Sequence, residues 1–409
     1  MVEHRCRSGL AMLAWVLAVT APGAAPFANP APAGSWVEAW YSPPFPPTAA
    51  LGFNDVRSFA HQTVRQIVRA QTGGERVRVR LTNELGLAPV NVGAVHIALS
   101  SPNGVTEPES DHLLTFNGRP DASIPVGLAL LSDPVDMKVK AFADLAISIY
   151  YPGSLAPSGH LTQVRISASG DHAVEAVWPR ATLAWAPALA SGLEIQASAS
   201  HHVVVAFGDS ITEGAGATPG TNMDWPQQLA SRLARSPEGK DWVVINSGIG
   251  GNRLLHDGAG PKALDRFDRD ALDLPGVGAV IVLEGINDIR SAYGSDGDTA
   301  PLSAKDVIGA YQQLIVRAHS RGLKIYGGTI IPYEDSTSYH PRGEAVRVAV
   351  NDWIRTSGAF DGVIDFDKAV RDPHHTSRFI GADQCGDNLH PNDAGYRAMS
   401  EAVDLKLFR

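Results

Sequence analysis

Residues 203–214 read Val-Val-Val-Ala-Phe-Gly-Asp-Ser-Ile-Thr-Glu-Gly, an apolar run that ends in a glycine, an aspartate and a serine. Branched apolar residues in such a short run are typical of a strand buried on both faces of a parallel sheet. Open α/β sheets bind their ligands where strands of this kind end. The stretch therefore predicts that Ser210 stands at the carboxyl end of a buried strand, beside a crevice.

The rest of the carboxyl-terminal half repeats this pattern of short apolar runs separated by helical periodicity. One helix is expected at Pro226–Ala234, after Asp224 as its cap, and others at Ala304–Ser320 and Glu344–Thr356. Strands that alternate with helices predict a parallel sheet between helical layers. The expected strands are Val203–Phe207, Val243–Asn246, Ala279–Leu283, Lys324–Ile331 and Gly362–Ile364.

In the amino-terminal half the apolar residues recur with a different spacing. Short alternating runs are separated by turn signals such as Gly73-Gly74 and Asn117-Gly118, which predicts an antiparallel, sandwich-like all-β domain over residues 35–195. Its last part, an alanine-rich stretch with two prolines that ends near Gln196, is interpreted as a linker. The α/β domain is expected over residues 196–409. The expected strands of the β domain are Thr63–Val68, Arg76–Leu81, Val92–Leu99, Val139–Tyr150, Val164–Ser167 and Ala173–Trp178.

Residues 1–25 are interpreted as a secretory leader that ends between residues 21 and 34. Basic Arg5 and Arg7 precede about 12 apolar residues and a cluster of small residues. The apolar stretch is too short for a membrane anchor, which needs roughly 20 residues. Removal of the leader takes Cys6 away and leaves Cys385 alone, so no internal disulfide is expected in the exported protein.

Composition restricts the partners of the protein. A formal net charge of −9 over 409 residues argues against nucleic acid or an anionic membrane as the main partner. We expect a soluble, exported protein without a membrane anchor, in the periplasm or outside the cell. Its partner would be a small-molecule or polysaccharide substrate, and composition does not indicate an oligomeric state.

Three further motifs follow predicted strands or lie near the carboxyl terminus, and each could assist a serine nucleophile. A glycine-rich turn at residues 246–252 could present backbone N–H groups to a substrate. A phosphate-binding loop is the alternative interpretation of this turn. However, no Lys-Ser/Thr pair follows the turn, and its glycines do not have the G-x-G-x-x-G spacing. The amide of Asn287 could donate to a developing oxyanion, and Asp387 lies three residues before His390, close enough to orient its ring.

Together, Gly208-Asp209-Ser210, the glycine turn, Gly285-x-Asn287-Asp288 and Asp387-x-x-His390 resemble the signature blocks of the SGNH/GDSL hydrolase superfamily, in the same order. The resemblance covers roughly residues 202–409. It implies a three-layer α/β/α fold with a five-stranded parallel sheet and an esterase or acylhydrolase activity without metal or organic cofactor. The β domain ahead of it makes the whole chain similar to secreted, xylan-associated members.

Carried over to this sequence, the resemblance implies Ser210 as nucleophile, His390 as general base and acid, and Asp387 as its orienting carboxylate. The oxyanion hole would combine the Ser210 N–H, the Gly251 N–H and the Asn287 amide, with Gly250 as an alternative to Gly251. The expected activity is hydrolysis of small acyl esters, above all acetyl esters of carbohydrate or aryl alcohols. Alternatives are an acyltransferase, a lipase or lysophospholipase, and a glycan-binding protein with a vestigial esterase half.

Other residues are given simpler roles. The pairs His201-His202 and His374-His375 lack the usual additional ligands, so we predict no metal site there. Asp209 and Asp288 are expected to hold their own turns through local hydrogen bonds. Trp225, Tyr333 and Tyr339 could line a pocket, but aromatic residues are more often core packing.

Overall fold

The computed structural model of the protein describes residues 29–47, 58–294 and 301–409. The predicted leader over residues 1–25 lies outside these ranges. Within them, no helix combines the length and the apolar content that crossing a bilayer requires.

The amino-terminal domain consists of short β-strands that are paired antiparallel throughout. The strands are β1 Trp36–Tyr41, β2 Phe59–Arg69, β3 Gly74–Thr82, β4 Val90–Val92, β5 Val95–Leu99, β6 His112–Leu114, β7 Ala122–Ile124, β8 Ala129–Leu131, β9 Val135–Val139, β10 Asp144–Leu155, β11 His160–Ser169, β12 Thr182–Ala188 and β13 Ala190–Ala197.

These strands form two main sheets around one apolar core. The first has the order β1-β13-β3-β8, with β9 also paired to β3, and the second has the order β12-β11-β2-β10-β5-β6. Buried residues from both sheets, including Val79, Ile97, Ile147 and Ile195, pack together between them. Two packed antiparallel sheets are a sandwich, so the predicted all-β class of this domain is confirmed.

Two predictions for this domain are wrong. The alanine-rich stretch interpreted as a linker forms β12 and β13, and β13 lies inside its sheet between β1 and β3. Small residues suit this buried strand, and Pro187 is tolerated because β12 is an edge strand. The expected strand Ala173–Trp178 is a loop, because its carbonyl groups accept hydrogen bonds from the buried Arg65 guanidinium instead of joining a sheet.

The carboxyl-terminal domain alternates strands and helices. Its strands are β14 His202–Gly208, β15 Trp242–Gly248, β16 Val277–Leu283, β17 Lys324–Gly328, β18 Gly362–Ile364, β19 Arg371–Asp372 and β20 His375–Phe379. Its α-helices are α1 Ser210–Glu213, α2 Trp225–Leu233, α3 Ala263–Phe267, α4 Ile286–Tyr293, α5 Ala304–Ser320, α6 Pro341–Thr356, α7 Phe366–Val370 and α8 Asp393–Ala402.

Five strands form one parallel sheet with the order β15-β14-β16-β17-β18. Helix α2 packs against β15 and α8, while α5 packs against β17, α3 and α6. The sheet thus lies between two helical layers, which confirms the predicted three-layer α/β/α fold. Asp224 caps α2 as expected, accepting from the Gln227 N–H at 3.1 Å.

The two domains are joined by more than the chain between β13 and β14. Val37 and Tyr41 of β1 belong to the apolar core of the α/β domain. The Tyr41 hydroxyl donates to the Asp270 carboxylate at 2.7 Å, and the Gln71 side-chain amide donates to Gln227 at 2.8 Å. The β domain is therefore packed directly against the carboxyl-terminal domain.

Candidate active site

Ser210 stands where β14, an inner strand of the parallel sheet, passes into the short helix α1. Asp209 caps this helix, since its side chain accepts from the Ile211 N–H at 2.9 Å. A Cβ atom on Gly208 would lie 2.5 Å from the Leu283 carbonyl oxygen, so only glycine fits before the turn. The sequence therefore folds locally into a strand, a tight turn and a helix that hold the serine at the sheet edge.

His390 lies against Ser210 although 180 residues separate them. The Ser210 hydroxyl is 2.9 Å from His390 Nε2, and His390 Nδ1 is 2.6 Å from the Asp387 carboxylate. A carboxylate can only accept, so Nδ1 carries the ring proton and Nε2 is free to accept the serine proton. The structure thus brings together the three residues that the sequence singled out.

The Asp387 carboxylate is held ionised by its surroundings. Burial tends to raise its pKa, but the hydrogen bonds from the His390 ring and from the Leu389 and His390 N–H groups outweigh burial and hold the pKa well below its usual range. The two backbone bonds, both 2.9 Å, also fix the carboxylate relative to its own loop. The histidine is consequently oriented by a charged partner at neutral pH.

The expected oxyanion donors line one cavity with Ser210. The glycine turn closes with a hydrogen bond from the Asn252 N–H to the Ile249 carbonyl, and Gly251 has a φ of +73°, which favours glycine. The Asn287 amide donates to the Asn252 carbonyl at 2.9 Å, so the turn and the start of α4 are tied together. Gly250 and Gly251 both line the cavity, as does Asn287.

Arg266 is a buried residue of the site that the sequence analysis did not identify. Its guanidinium donates to the Gly208 and Ser247 carbonyl oxygens at 2.8 and 3.0 Å, and to the Asn252 side chain at 2.8 Å. It thereby connects the ends of β14 and β15 to the glycine turn. No sequence motif marks it, because an arginine in an amphipathic segment is normally exposed.

Glu284 lies 3.5 Å from this arginine, and it interacts electrostatically with the buried carboxyl groups of Asp209 and Asp288. Burial raises the pKa values of Asp209, Glu284 and Asp288, and for Asp209 the pKa reaches about 7. Asp209 holds its own turn, as predicted. Asp288 does not: its carboxylate accepts from the Leu254 and Leu255 N–H groups at 2.6 and 2.9 Å, so it positions the segment after the glycine turn instead.

The aromatic residues and histidine pairs considered from the sequence do not line this cavity. Trp225 and Tyr333 are fully buried in the core of the α/β domain, and Tyr339 packs against that core. His202 stacks on Trp242, and His375 pairs with Glu334. Within the described ranges, the group of metal-ligand type is Cys385, Asp387 and His390, which is the histidine and aspartate of the site plus a neighbour.

The β domain supplies one wall of the cavity that contains Ser210. The cavity has a volume of about 720 Å³ and lies between the two domains. His160 of β11 reaches across it: its Nδ1 donates to the Pro43 carbonyl, and its Nε2 lies 2.8 Å from the Glu213 carboxylate. This wall cannot be read from the sequence, because the partner of Glu213 lies 53 residues away in the other domain. The residues of the β domain that line it are Trp40, Tyr41, Ser42, Pro43, Gln66, Ile67, Gln71, His160, Leu161, Thr162 and Trp185.

A three-layer α/β/α fold with a serine hydrogen-bonded to a histidine–aspartate pair at the sheet edge defines an enzyme of the serine-hydrolase class. Residues 206–398 match the GDSL-like Lipase/Acylhydrolase family. The match lies within the α/β domain, as the resemblance implied, and it supports a carboxylic ester hydrolase.

Several solved structures are similar to the catalytic half. The acetyl xylan esterase AlAXEase is 21% identical with a TM-score of 0.38, covering 49% of this chain and 96% of that one. LAE5, an alpha/beta hydrolase enzyme from the metagenome of Lake Arreo, Spain, is 18% identical with a TM-score of 0.39, covering 49% and 92%. A member of the lipolytic protein G-D-S-L family from Veillonella parvula DSM 2008 is 19% identical with a TM-score of 0.35, covering 49% and 95%. The comparison with curated proteins finds no match.

Proposed function

We infer that this protein is an exported serine esterase that hydrolyses small acyl esters, above all acetyl esters, of carbohydrate or aryl alcohols. The observation that carries the proposal is the continuous path from the Ser210 hydroxyl through the His390 ring to the Asp387 carboxylate. A hydroxyl is a weak nucleophile unless a base removes its proton, and this path provides the base.

In the proposed reaction, Ser210 Oγ attacks the ester carbonyl carbon while its proton passes to His390 Nε2. The carbonyl oxygen becomes an oxyanion that accepts hydrogen bonds from the Ser210 N–H, a glycine N–H of the turn and the Asn287 amide. Collapse of this intermediate breaks the bond to the alcohol oxygen, which takes the proton from the imidazolium. Water then attacks the acyl-enzyme by the same route and releases the acid.

The proposal is tested by hydrolysis of 4-nitrophenyl acetate and an acetylated sugar by the wild type, Ser210→Ala and His390→Ala. Both variants should lose several orders of magnitude in kcat while keeping the far-ultraviolet circular dichroism of the wild type. Near-normal turnover by either variant would show that another group carries the reaction. A series of aryl esters from acetate to laurate tests the acyl length, since the proposal requires the rate to fall as the chain lengthens.

Export is part of the proposal and is supported by the basic, apolar and small-residue pattern at residues 5–25. The test is amino-terminal sequencing of the protein recovered from the periplasm and the medium of an expressing bacterium. A mature chain that begins between residues 22 and 35 is expected. Recovery of a full-length chain from the cytoplasm alone would contradict it.

A further inference from the structure

The cavity beside Ser210 is much larger than the acyl group that the proposed function assigns to it. Its volume of about 720 Å³ falls in the range of pockets that bind whole small-molecule ligands, roughly 300–1,000 Å³. An acetyl group has only three non-hydrogen atoms. The rest of the cavity, which extends from the serine to the β domain, is therefore available to the alcohol portion of the ester.

The polar side chains on this wall provide hydrogen-bond acceptors. Gln66 of β2 and Gln71, which follows β2, both line the cavity and are 4% and 6% exposed. Each has a buried side-chain oxygen that accepts no hydrogen bond within the described part of the chain. A buried acceptor without a donor costs free energy, so a ligand that supplies donors gains affinity there.

The orientation of Gln71 is fixed by its neighbours. Its Nε2 donates to the Arg69 carbonyl at 3.3 Å and to the Gln227 side chain at 2.8 Å, which assigns the other terminal atom as the oxygen. The terminal torsion of Gln66 is of the soft kind that turns at little cost. Gln66 can therefore turn its oxygen toward a ligand in the cavity, whereas Gln71 Oε1 becomes reachable when its side chain shifts within the cavity wall.

Glu213 adds a third acceptor on the opposite wall. His160 Nδ1 donates to the Pro43 carbonyl, which can only accept, and Nε2 lies 2.8 Å from Glu213 Oε1. The second carboxylate oxygen, Oε2, lies over the glycine turn, 2.7 Å from where a Cβ of Gly250 would be. This pair joins the β domain to the wall next to the serine.

We propose that the β domain forms the alcohol subsite of the esterase and that it selects esters of polyhydroxylated alcohols, that is, sugar esters. The side-chain oxygens of Gln66, Gln71 and Glu213 can accept from hydroxyl donors, which a sugar has and an aryl or alkyl alcohol lacks. Trp40 and Trp185 line the same cavity and add apolar aromatic surface to it. This inference rests on the proposed esterase function and adds the substrate class and the residues that select it.

The first test compares two acetyl esters with the wild-type protein: a monoacetylated xyloside with free hydroxyls, and the acetyl ester of a tetrahydropyran alcohol, which has the same ring without them. We expect kcat/KM to be at least about 10-fold higher for the xyloside, as the loss of two to three hydrogen bonds implies. Equal values for the two esters would overturn the inference. Hydrolysis of neither ester, nor of 4-nitrophenyl acetate, would instead contradict the proposed function.

The second test uses Gln66→Met and Gln71→Met, which keep an unbranched side chain but remove the acceptor. In each variant the ratio of kcat/KM for the acetylated xyloside to kcat/KM for 4-nitrophenyl acetate should fall about 3- to 10-fold. Gln62→Met is the matched control, because Gln62 lies on the same strand and donates to the Ser167 carbonyl outside the cavity. Its ratio should equal that of the wild type. If the ratio is unchanged in both cavity variants, ordered water satisfies these oxygens and the β domain does not select the alcohol.

Discussion

Replacing Arg266 with methionine should lower the free energy of unfolding by about 3–5 kcal/mol, the usual cost of removing one partner from a buried ionic network. The arginine side chain has no exposed surface, and its ion-pair partners Asp270 and Glu284 have none either. Methionine is also unbranched and can preserve the packing on the Phe207 ring, which lies 4.0 Å from the guanidinium carbon. The loss therefore reports polar contacts rather than a cavity.

The magnitude follows from the groups left behind. Three hydrogen bonds to the Gly208, Ser247 and Asn252 oxygens disappear, and each buried acceptor left unpaired costs on the order of 1 kcal/mol or more. Asp270 keeps its bonds from Tyr41 and Arg269, so it adds less than an isolated carboxylate would. The sum reaches the lower part of the range given above.

Equilibrium urea unfolding, followed by tryptophan fluorescence, measures this loss. Arg321→Met is the matched control, because Arg321 is 39% exposed and its pairs with Asp268 and Asp273 lie at the surface. Such pairs contribute less than about 1 kcal/mol. A loss for Arg266→Met no larger than that of the control would refute the view that the buried guanidinium holds the strand ends together.

Three further predictions concern the groups around the serine. Asp387→Asn should lower kcat by about 10⁴-fold with little change in KM, because an amide would favour the wrong histidine tautomer, and steady-state kinetics would expose an error if the rate stayed within about 3-fold of the wild type. Asn287→Ala should lower kcat by about 10²- to 10³-fold through loss of an oxyanion donor, whereas an effect on KM alone would indicate ground-state binding instead. Burial raises the pKa of Asp209 to about 7. Between roughly pH 4 and 7 the carboxyl group therefore stays protonated in the native protein but is ionised in the unfolded chain. The stability that this proton contributes is lost as the pH rises through that window. Urea unfolding should therefore show that the free energy of unfolding decreases between pH 5 and pH 8 by on the order of 2 kcal/mol less in Asp209→Asn than in the wild type. Equal decreases in the two proteins would contradict the raised pKa of Asp209.

The sequence was sufficient to predict the parallel sheet and the serine, aspartate and histidine of the site, because these depend on local patterns. Val203–Phe207 lies directly before the turn that carries Ser210. Asp387 and His390 are three residues apart, so their hydrogen bond is also local. Only the contact between His390 and Ser210, which are 180 residues apart, depends on the tertiary fold.

Features that depend on long-range packing could not be predicted in this way. The strand Ala190–Ala197 resembles a linker by composition, and only its position between β1 and β3 explains why small residues are suitable there. Arg266 and Asp288 act on backbone groups that are distant in sequence. The cavity wall formed by Gln66 and His160 exists only because the two domains pack together.

The most direct test of the account is to identify the covalent intermediate. The wild type should be mixed with 4-nitrophenyl acetate, quenched in acid within milliseconds, digested and analysed by mass spectrometry, with Ser210→Ala treated identically. We expect one acetyl group on the peptide that contains Ser210 and none in the variant. An acetyl group on another residue, with Ser210 unmodified while the ester is turned over, would contradict the central claim.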